Sequence, residues 1–358
     1  MTDGDDLGAR RRLGGAIDEG ASVASFGGPA IATPTIALPI ETTQTIAECA
    51  RVLRIEPIGG AAGDMLTAAL IDLGAPEAAI ASSIEALGLP GVHVEVGTRT
   101  RHAIVARGVE VIVDAPQPPR DHASIVRLLA DSALPDALRS LAALTFLELA
   151  KAESKVHRVP VESVHFHEVG AVDAIVDVVA ACAGLLAIEA RDGAGILGIS
   201  IAPIPIAGGG ARGAHGAIPL PAPATLELLA GLIVTDARFA EGSRGETVTP
   251  TGAALLRAWS MARPSSSGAW PTMRPVAIGY GAGRRDFGDR ANVVRLTLGE
   301  VVPSDLRTTE LALLECNVDD ATPEVVACAI EALMDARALD AWTQPIGMKK
   351  GRSAIMLS

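Results

Sequence analysis

The sequence predicts a mixed α/β protein with α+β character. An N-terminal α/β domain is expected at 51–302, followed by an incomplete ferredoxin-like (split βαβ) domain at 303–358. Three observations point there. The apolar run RVLRIEPI suits a strand, and the glycine turn GGAAGD passes it into the helical segment MLTAALIDLG. GVHVEVGTRT and GVEVIVDA alternate apolar and polar residues as half-buried strands do. Beyond the linker-like PSDLRTT, the segments ELALLECNVDD, PEVVACAIEALMDARAL and DAWTQPIGMKKGRSAIML read as β-α-β. A chain of 358 residues suits about two domains at roughly 100–200 residues each.

Taken in order, residues 1–50 read as a disordered extension. DGDD and ARRR precede GGPAIATPTIALPIETT, which has no helical period. The first helix stops at Gly74, where a glycine closes the last turn. EAAIASSIEALGL is a second short helix. PQPPRD is a loop, because proline brings no N–H to a helix interior. ASIVRLLADS and PDALRSLAALTFLELAKAESKVHRV are helical, the second with Leu141, Leu144, Leu147 and Leu149 as its apolar stripe. VESVHFHEVGA enters the helix VDAIVDVVAACAGLLAIEA. The uncharged window at 193–211 contains Pro203 and Pro205, so it reads as a strand and an extended segment. PAPATLELLAG is a helix, and TPTGAALLRAW is a helix with an N-cap. SSSG at 265–268 reads as a surface loop, and IGYGAGRRDFGDRANVVRLTLGE as a glycine-rich turn feeding a strand.

Composition narrows the function classes. Apolar residues at 49% and charged residues at 20% fit a soluble globule. Against 30 basic residues stand 42 acidic ones, so the chain lacks the charge footprint of a duplex binder. Aromatics at 3% leave few platforms for stacking single-stranded bases. No segment reads as a membrane span or a secretory signal. Cys49, Cys182, Cys316 and Cys328 form no CxxC pair, which argues against a disulfide framework and a thiolate zinc site. A cytoplasmic protein without nucleic-acid or membrane partners is expected.

Four constellations carry chemistry. In HFHEVGAVDAIVD, residues 165–177, extended backbone points His165 and His167 to one side and Phe166 toward the core. Two such imidazoles can share one ion at about 2.0–2.1 Å, with Glu168 next in line. Asp173 and Asp177 share a helix face near its N-terminus. Imidazole with carboxylate suits Ni, Zn, Fe or Cu; hydrogen bonding in a turn is the plainer account, with Asp173 a cap and Asp177 a wet face. In EPIGGAAGDML, Gly59, Gly60, Gly63 and Asp64 form a strand–turn–helix start suited to a phosphate or carboxylate, or simply a tight turn. Glu56 is a further candidate acid there. GGGARGAHG sets Arg212 and His215 on a loop, and Arg284 with Arg285 occupies a glycine-rich turn. Finally, Asp319 and Asp320 precede a Thr-Pro-Glu helix start, and Lys349, Lys350 and Arg352 follow the next strand. These suit a divalent cation and phosphates if the strand ends converge, or a charged turn if they do not.

The segments GDMLTAALIDLG, VHFHEVGAVDAIVDVV, HGAIPLPAPATLELLAG, GETVTPTGAALL, IGYGAG and ECNVDDATPE, in order from about residue 51 to the end, resemble the nickel-insertion proteins (LarC) of nickel-pincer cofactor synthesis. The resemblance implies a lyase-type nickel chelatase that inserts Ni²⁺ into pyridinium-3,5-bisthiocarboxylic acid mononucleotide, using CTP with Mg²⁺ or Mn²⁺. It implies the pincer precursor as small-molecule substrate and lactate racemase-type apo-enzymes as users of the product; a homo-oligomer stays open. It gives nickel capture to His165, His167 and Glu168, with Asp173 and His215 as second choices. Glu168, Asp173 or a free histidine is the candidate base. Substrate phosphate or carboxylate falls to Gly59, Gly60, Gly63 and Asp64, the metal of CTP to Asp319 and Asp320, and its phosphates to Lys349 and Lys350. A nickel chaperone without turnover and a metal-dependent phosphohydrolase are the alternatives. This sequence departs from the family in three ways. Glu56 stands where an aspartate is usual. Only His93, His102 and His122 occur where relatives carry a histidine-rich run. The chain stops at Ser358, inside the second domain, which predicts an unpaired sheet edge.

Overall fold

The computed structural model describes residues 45–118, 120–164, 166, 171–191, 197–213, 216–237, 245–302 and 312–358. The chain divides into two compact units. One runs to Pro271 and resumes over Pro275–Glu300; the other takes Thr272–Arg274 and Val301–Ser358. The fold is mixed α/β, as predicted.

In chain order, β1 (Arg51–Pro57) leads to α1 (Gly63–Asp72) and α2 (Glu77–Glu85). β2 (Val92–Arg101) and β3 (Ile104–Val113) form a hairpin, followed by α3 (His122–Asp131), α4 (Asp136–His157) and α5 (Val172–Ala190). Then come β4 (Leu197–Ile201), β5 (Ile204–Ile206), β6 (Gly209–Gly213), β7 (Gly216–Leu220), α6 (Pro223–Leu228) and β8 (Val234–Asp236). α7 (Pro250–Ala262), β9 (Ser265–Ser267), β10 (Met273–Ala282) and β11 (Val293–Val301) follow.

The main sheet has the order β2-β3-β10-β11-β1-β4-β9. β1 runs antiparallel to β11 and parallel to β4, and β4 is parallel to β9. Parallel neighbours need a crossover, and the intervening helices supply it. Their apolar faces meet Leu53 and Ile55 of β1 in one core. α5 is apolar nearly all round, and a helix of that kind is buried; Ile175, Val178, Val179 and Cys182 show no exposure. Along α4, Leu141, Leu144 and Leu149 are buried as the stripe predicts, and Leu147 is half-buried. Thr249 caps α7, its hydroxyl accepting the Gly252 N–H at 3.1 Å.

Arg54 is buried on β1. It donates to Ser200 Oγ at 2.9 Å and to the carbonyls of Ala269 and Gly268 at 3.0 and 2.7 Å, and its guanidinium lies 5.4 Å from the Trp270 ring centroid. These bonds, all from Nη1 and Nη2, offset part of the cost of burying the charge, while Nε is buried without a partner. The β2–β3 turn is tight, with His102 and Ala103 both left-handed at φ 46° and 63°.

The second unit contains β12 (Cys316–Val318), α8 (Pro323–Asp335), β13 (Thr343–Met348) and β14 (Arg352–Leu357), with sheet order β12-β14-β13. β14 is antiparallel to both neighbours, so β12 and β13 run parallel on either side of it. That is a split βαβ arrangement. The predicted β-α-β thus becomes β-α-β-β. The last segment breaks at Lys349–Gly351, where Lys350 and Gly351 take φ of 65° and 71° and reverse the chain.

Other details differ from expectation. SSSG is not a loop: Ser265–Ser267 pairs with β4 as an edge strand. The described part of the 193–211 window holds β4, β5 and the start of β6. At the end of the predicted extension, Ile46–Glu48 forms a 3₁₀ turn and Cys49 is buried. All four cysteines are free thiols. Among the described residues, no helix is long and apolar enough to cross a membrane.

Candidate functional site

The loop between β1 and α1 is stitched to the segment before α7. Ala61 N–H donates to the Thr247 carbonyl at 2.9 Å, and Thr249 N–H donates to the Ala61 carbonyl at 3.0 Å. The starts of α1 and α7 are therefore neighbours. A side chain at Gly60, where φ is +143°, would place Cβ 1.7 Å from the Thr247 carbonyl oxygen. At Gly63 it would stand 2.6 Å from Asp177 Cβ, and at Gly59 2.5 Å from the Ala291 carbonyl oxygen. Close packing against protein accounts for all three glycines of the predicted cradle.

Asp64 sits in the first turn of α1. Its Oδ1 accepts the Met65 N–H at 2.8 Å, and Arg99 Nη1 stands 4.0 Å from Oδ2. Asp177, one turn into α5, accepts the Asp64 backbone N–H. Burial pushes Asp177 well above the usual carboxylate range, and the negative charges of Asp64 and Asp173 push it further. Burial also raises Asp64, opposed by the Met65 N–H, Arg99 and Arg284. Both acids are thus held above the usual carboxylate range, Asp177 the more strongly. Asp173 lies at the exposed start of α5, its Oδ1 accepting the Ala174 N–H at 2.9 Å. Glu110 links Arg99 at 3.8 Å and Arg284 at 3.1 Å, giving the carboxyl pair a cationic flank.

The structure thus brings Asp64 and Asp173 together around Asp177, which sequence reading assigned to a wet helix face. Its spacing from Asp173 was visible; its partner on α1 was not. Glu56, read as a candidate acid, is committed elsewhere. Its two oxygens accept Arg295 Nη2 at 2.8 Å and Nε at 2.7 Å. That pairing and the Tyr280 contact raise the Arg295 pKa. His165, His167, Glu168 and His215 lie outside the described residues. Phe166, between the two histidines, is buried as the alternation predicts. Among the described residues, no group of three or more His, Cys, Asp or Glu is arranged to hold a metal ion.

In the second unit, Asp319 follows β12 and Arg352 opens β14, with Arg352 Nη1 3.8 Å from Asp319 Oδ2. Asp320, Lys349 and Lys350 are exposed. Strand register puts the end of β12, the start of β14 and the β13–β14 turn at one end of the small sheet. Thr322 caps α8 at that end. A concavity of about 550 Å³ beside it is lined by Asp319, Pro323, Ile330, Thr343 and Ile355, among others.

Comparison with known proteins identifies the family. The family model described as nickel insertion protein matches residues 53–358. A protein of Geobacter metallireducens is 41% identical over 310 residues, covering 86% of this chain and 76% of its own. One of Myxococcus xanthus is 41% identical over 314 residues, covering 86% and 75%. One of Thermomicrobium roseum is 43% identical over 317 residues, covering 86% and 73%. Each is named as a nickel insertion protein. No solved structure matches. On this match, which takes in all but the first residues of β1 and everything after it, the chain belongs to the nickel insertion protein family.

Proposed function

We propose that this protein inserts Ni²⁺ into pyridinium-3,5-bisthiocarboxylic acid mononucleotide, with CTP and Mg²⁺ or Mn²⁺, to give the nickel-pincer cofactor of lactate racemase-type enzymes. The observation that carries the reading is the family match, which extends over both units. Nickel is the cargo. His165, His167 and Glu168 capture it, with Asp173 and His215 beside them in the assignment. Forming a nickel–carbon bond releases a ring proton, so a base must lie near the ring. Glu168 and Asp173 are candidates, and the raised pKa of Asp177, one helical turn from Asp173, supports an acid–base role for this end of α5. The first unit, in this account, handles nickel and the organic substrate.

The second unit handles the nucleotide. Asp319 and Asp320 supply the hard oxygen donors that Mg²⁺ or Mn²⁺ takes. Lys349 and Lys350 supply ammonium groups for phosphates, and the concavity has room for a base. The Asp319–Arg352 approach supports this, since it puts an acid and a base at the same end of the sheet. The reaction is assigned to the cytoplasm.

The test mixes purified protein with Ni²⁺, CTP and the nickel-free ligand. Nickel transfer with stoichiometric loss of CTP is the expected result. Nickel binding without CTP loss would make the protein a chaperone, and phosphate release without nickel a phosphohydrolase; either overturns the proposal.

A further inference from the structure

The glycine turn before α1 is filled by its own neighbours, which leaves no room there for a bound anion. Arginines gather close by instead. Arg99 of β2 lies across β3, where Gly108 makes space for it: a Cβ at Gly108 would stand 2.6 Å from Arg99 Nε. Two carbonyls fix the guanidinium, Nη1 donating to Ala282 at 3.0 Å and Nη2 to Val109 at 3.3 Å. Arg101, the next residue on that face of β2, donates through Nη2 to the carbonyls of Gly283 and Arg284, both at 2.9 Å. That holds the backbone from which the exposed Arg284 side chain projects.

Glu110 shows what Arg99 and Arg284 are spaced to hold. One of its oxygens lies 3.8 Å from Arg99 Nη2 and the other 3.1 Å from Arg284 Nη2, so one carboxylate spans both cations. Glu110 is loosely held all the same. It and Arg284 are both exposed, and wet pairs of this kind contribute little. Its approach to Arg99 is too long for a hydrogen bond, as is the 4.0 Å from Arg99 Nη1 to Asp64 Oδ2. Arg99 therefore keeps donors unspent, since the carbonyls take one from each Nη. Carbonyls also bring no charge. Arg101 meets carbonyls alone, those of Thr100, Gly283 and Arg284. Among the described residues, the ion-pair partners of Arg99, Arg101 and Arg284 are Glu110 and Asp64. Positive charge is in surplus, and guanidinium forks match the planar or tetrahedral oxygens of carboxylate and phosphate.

We propose that Arg99 and Arg284 form an oxyanion clamp that takes a phosphate or carboxylate group of the organic substrate and displaces Glu110 to do so. The inference rests on the substrate named above, which carries a phosphate at one end and acid groups on its ring. Binding there sets the substrate beside Asp64 and the start of α5, where Asp177 accepts the Asp64 N–H.

The test titrates the full chain with three probes. The nickel-free ligand is followed by calorimetry, and inorganic phosphate and pyridine-3,5-dicarboxylate by NMR line broadening. Arg284→Gln, Arg99→Lys and Glu110→Gln are compared with the wild type and with Arg127→Gln, a charge control at an exposed position of α3. Because Arg284 is exposed, its variant should melt as the wild type does. It should bind the nickel-free ligand about tenfold more weakly or worse. Arg99→Lys keeps the charge but loses the fork, and should weaken binding too. Glu110→Gln frees both guanidiniums and should bind severalfold more tightly, a gain that a purely structural role for these residues would not produce. Loss of phosphate binding in Arg284→Gln assigns the clamp to the nucleotide end of the substrate, and loss of dicarboxylate binding to the ring end; either supports it. Wild-type affinity for all three probes in the Arg284 and Arg99 variants overturns the clamp, as does an equal loss in Arg127→Gln. A wild type that binds phosphate or the dicarboxylate but not the nickel-free ligand, with that binding lost in Arg284→Gln, upholds the clamp and overturns the substrate reading. Binding of none of the three overturns both.

Discussion

The Asp177 carboxyl on α5 accepts the backbone N–H of Asp64 on α1. One contact thereby caps a helix from its neighbour and sets two acids against each other. Gly63 makes it possible, because any Cβ there would meet the Asp177 side chain at 2.6 Å.

Burial first, and the charges of Asp64 and Asp173 second, raise the Asp177 pKa in the folded protein. Unfolded, it titrates near about 3.9. The folded state therefore holds the proton more tightly. The stability this gives is complete below the unfolded value and is lost as pH rises through the folded one. Asp177→Asn keeps an oxygen for the Asp64 N–H and removes the titration. Calorimetric melting should show the variant more stable than the wild type near about pH 8, with the gap closing toward about pH 4. A gap that does not change with pH counts against the account.

Glu56 and Arg295 form a two-bond ion pair with the acid mostly buried and the arginine one-third exposed. Removing the acid leaves a half-buried cation with unused donors. Glu56→Gln should cost about 1–2 kcal/mol in urea unfolding, below the range for a fully buried pair. A double-mutant cycle with Arg295→Gln should return a coupling above about 0.5 kcal/mol.

Ala103 occupies a left-handed position in the β2–β3 turn, at φ 63°. An L side chain there costs roughly 1–2 kcal/mol, and glycine gives back part of that gain through the unfolded chain. Ala103→Gly should stabilise the protein by about 0.5–1 kcal/mol, and Ala103→Val should destabilise it. Denaturant midpoints of the two variants decide the sign.

If the second unit holds the nucleotide's metal, Asp319→Asn should lower CTP turnover by about a hundredfold. Nickel uptake measured without CTP should stay at the wild-type level. Loss of both would mean that the carboxylate supports the unit's fold rather than the metal.

Local rules made much of the fold readable. Thr249 followed by Pro250 announces a helix start, and the β2–β3 alternation announces a hairpin; both depend on neighbouring residues alone. The strand Ser265–Ser267 was not readable, because serine is a weak strand former and the pairing is imposed by β4. Arg54 was not readable as a core residue either. Its acceptors are Ser200, Gly268 and Ala269, which the chain brings back only after the crossover. The site divides the same way. Asp173 and Asp177 are one helical turn apart and visible as a pair, while the Asp64 N–H that defines Asp177 comes from another helix. The commitment of Glu56 to Arg295 is likewise a product of β1–β11 register.

The distribution of thiols has a practical consequence. Cys49 and Cys182 are buried in the first unit, and Cys316 and Cys328 are exposed in the second. A maleimide dye added to the native protein should therefore mark only the C-terminal unit. Delayed labelling at Cys182, where burial lifts the thiol pKa to about 11, would then time the opening of the N-terminal core.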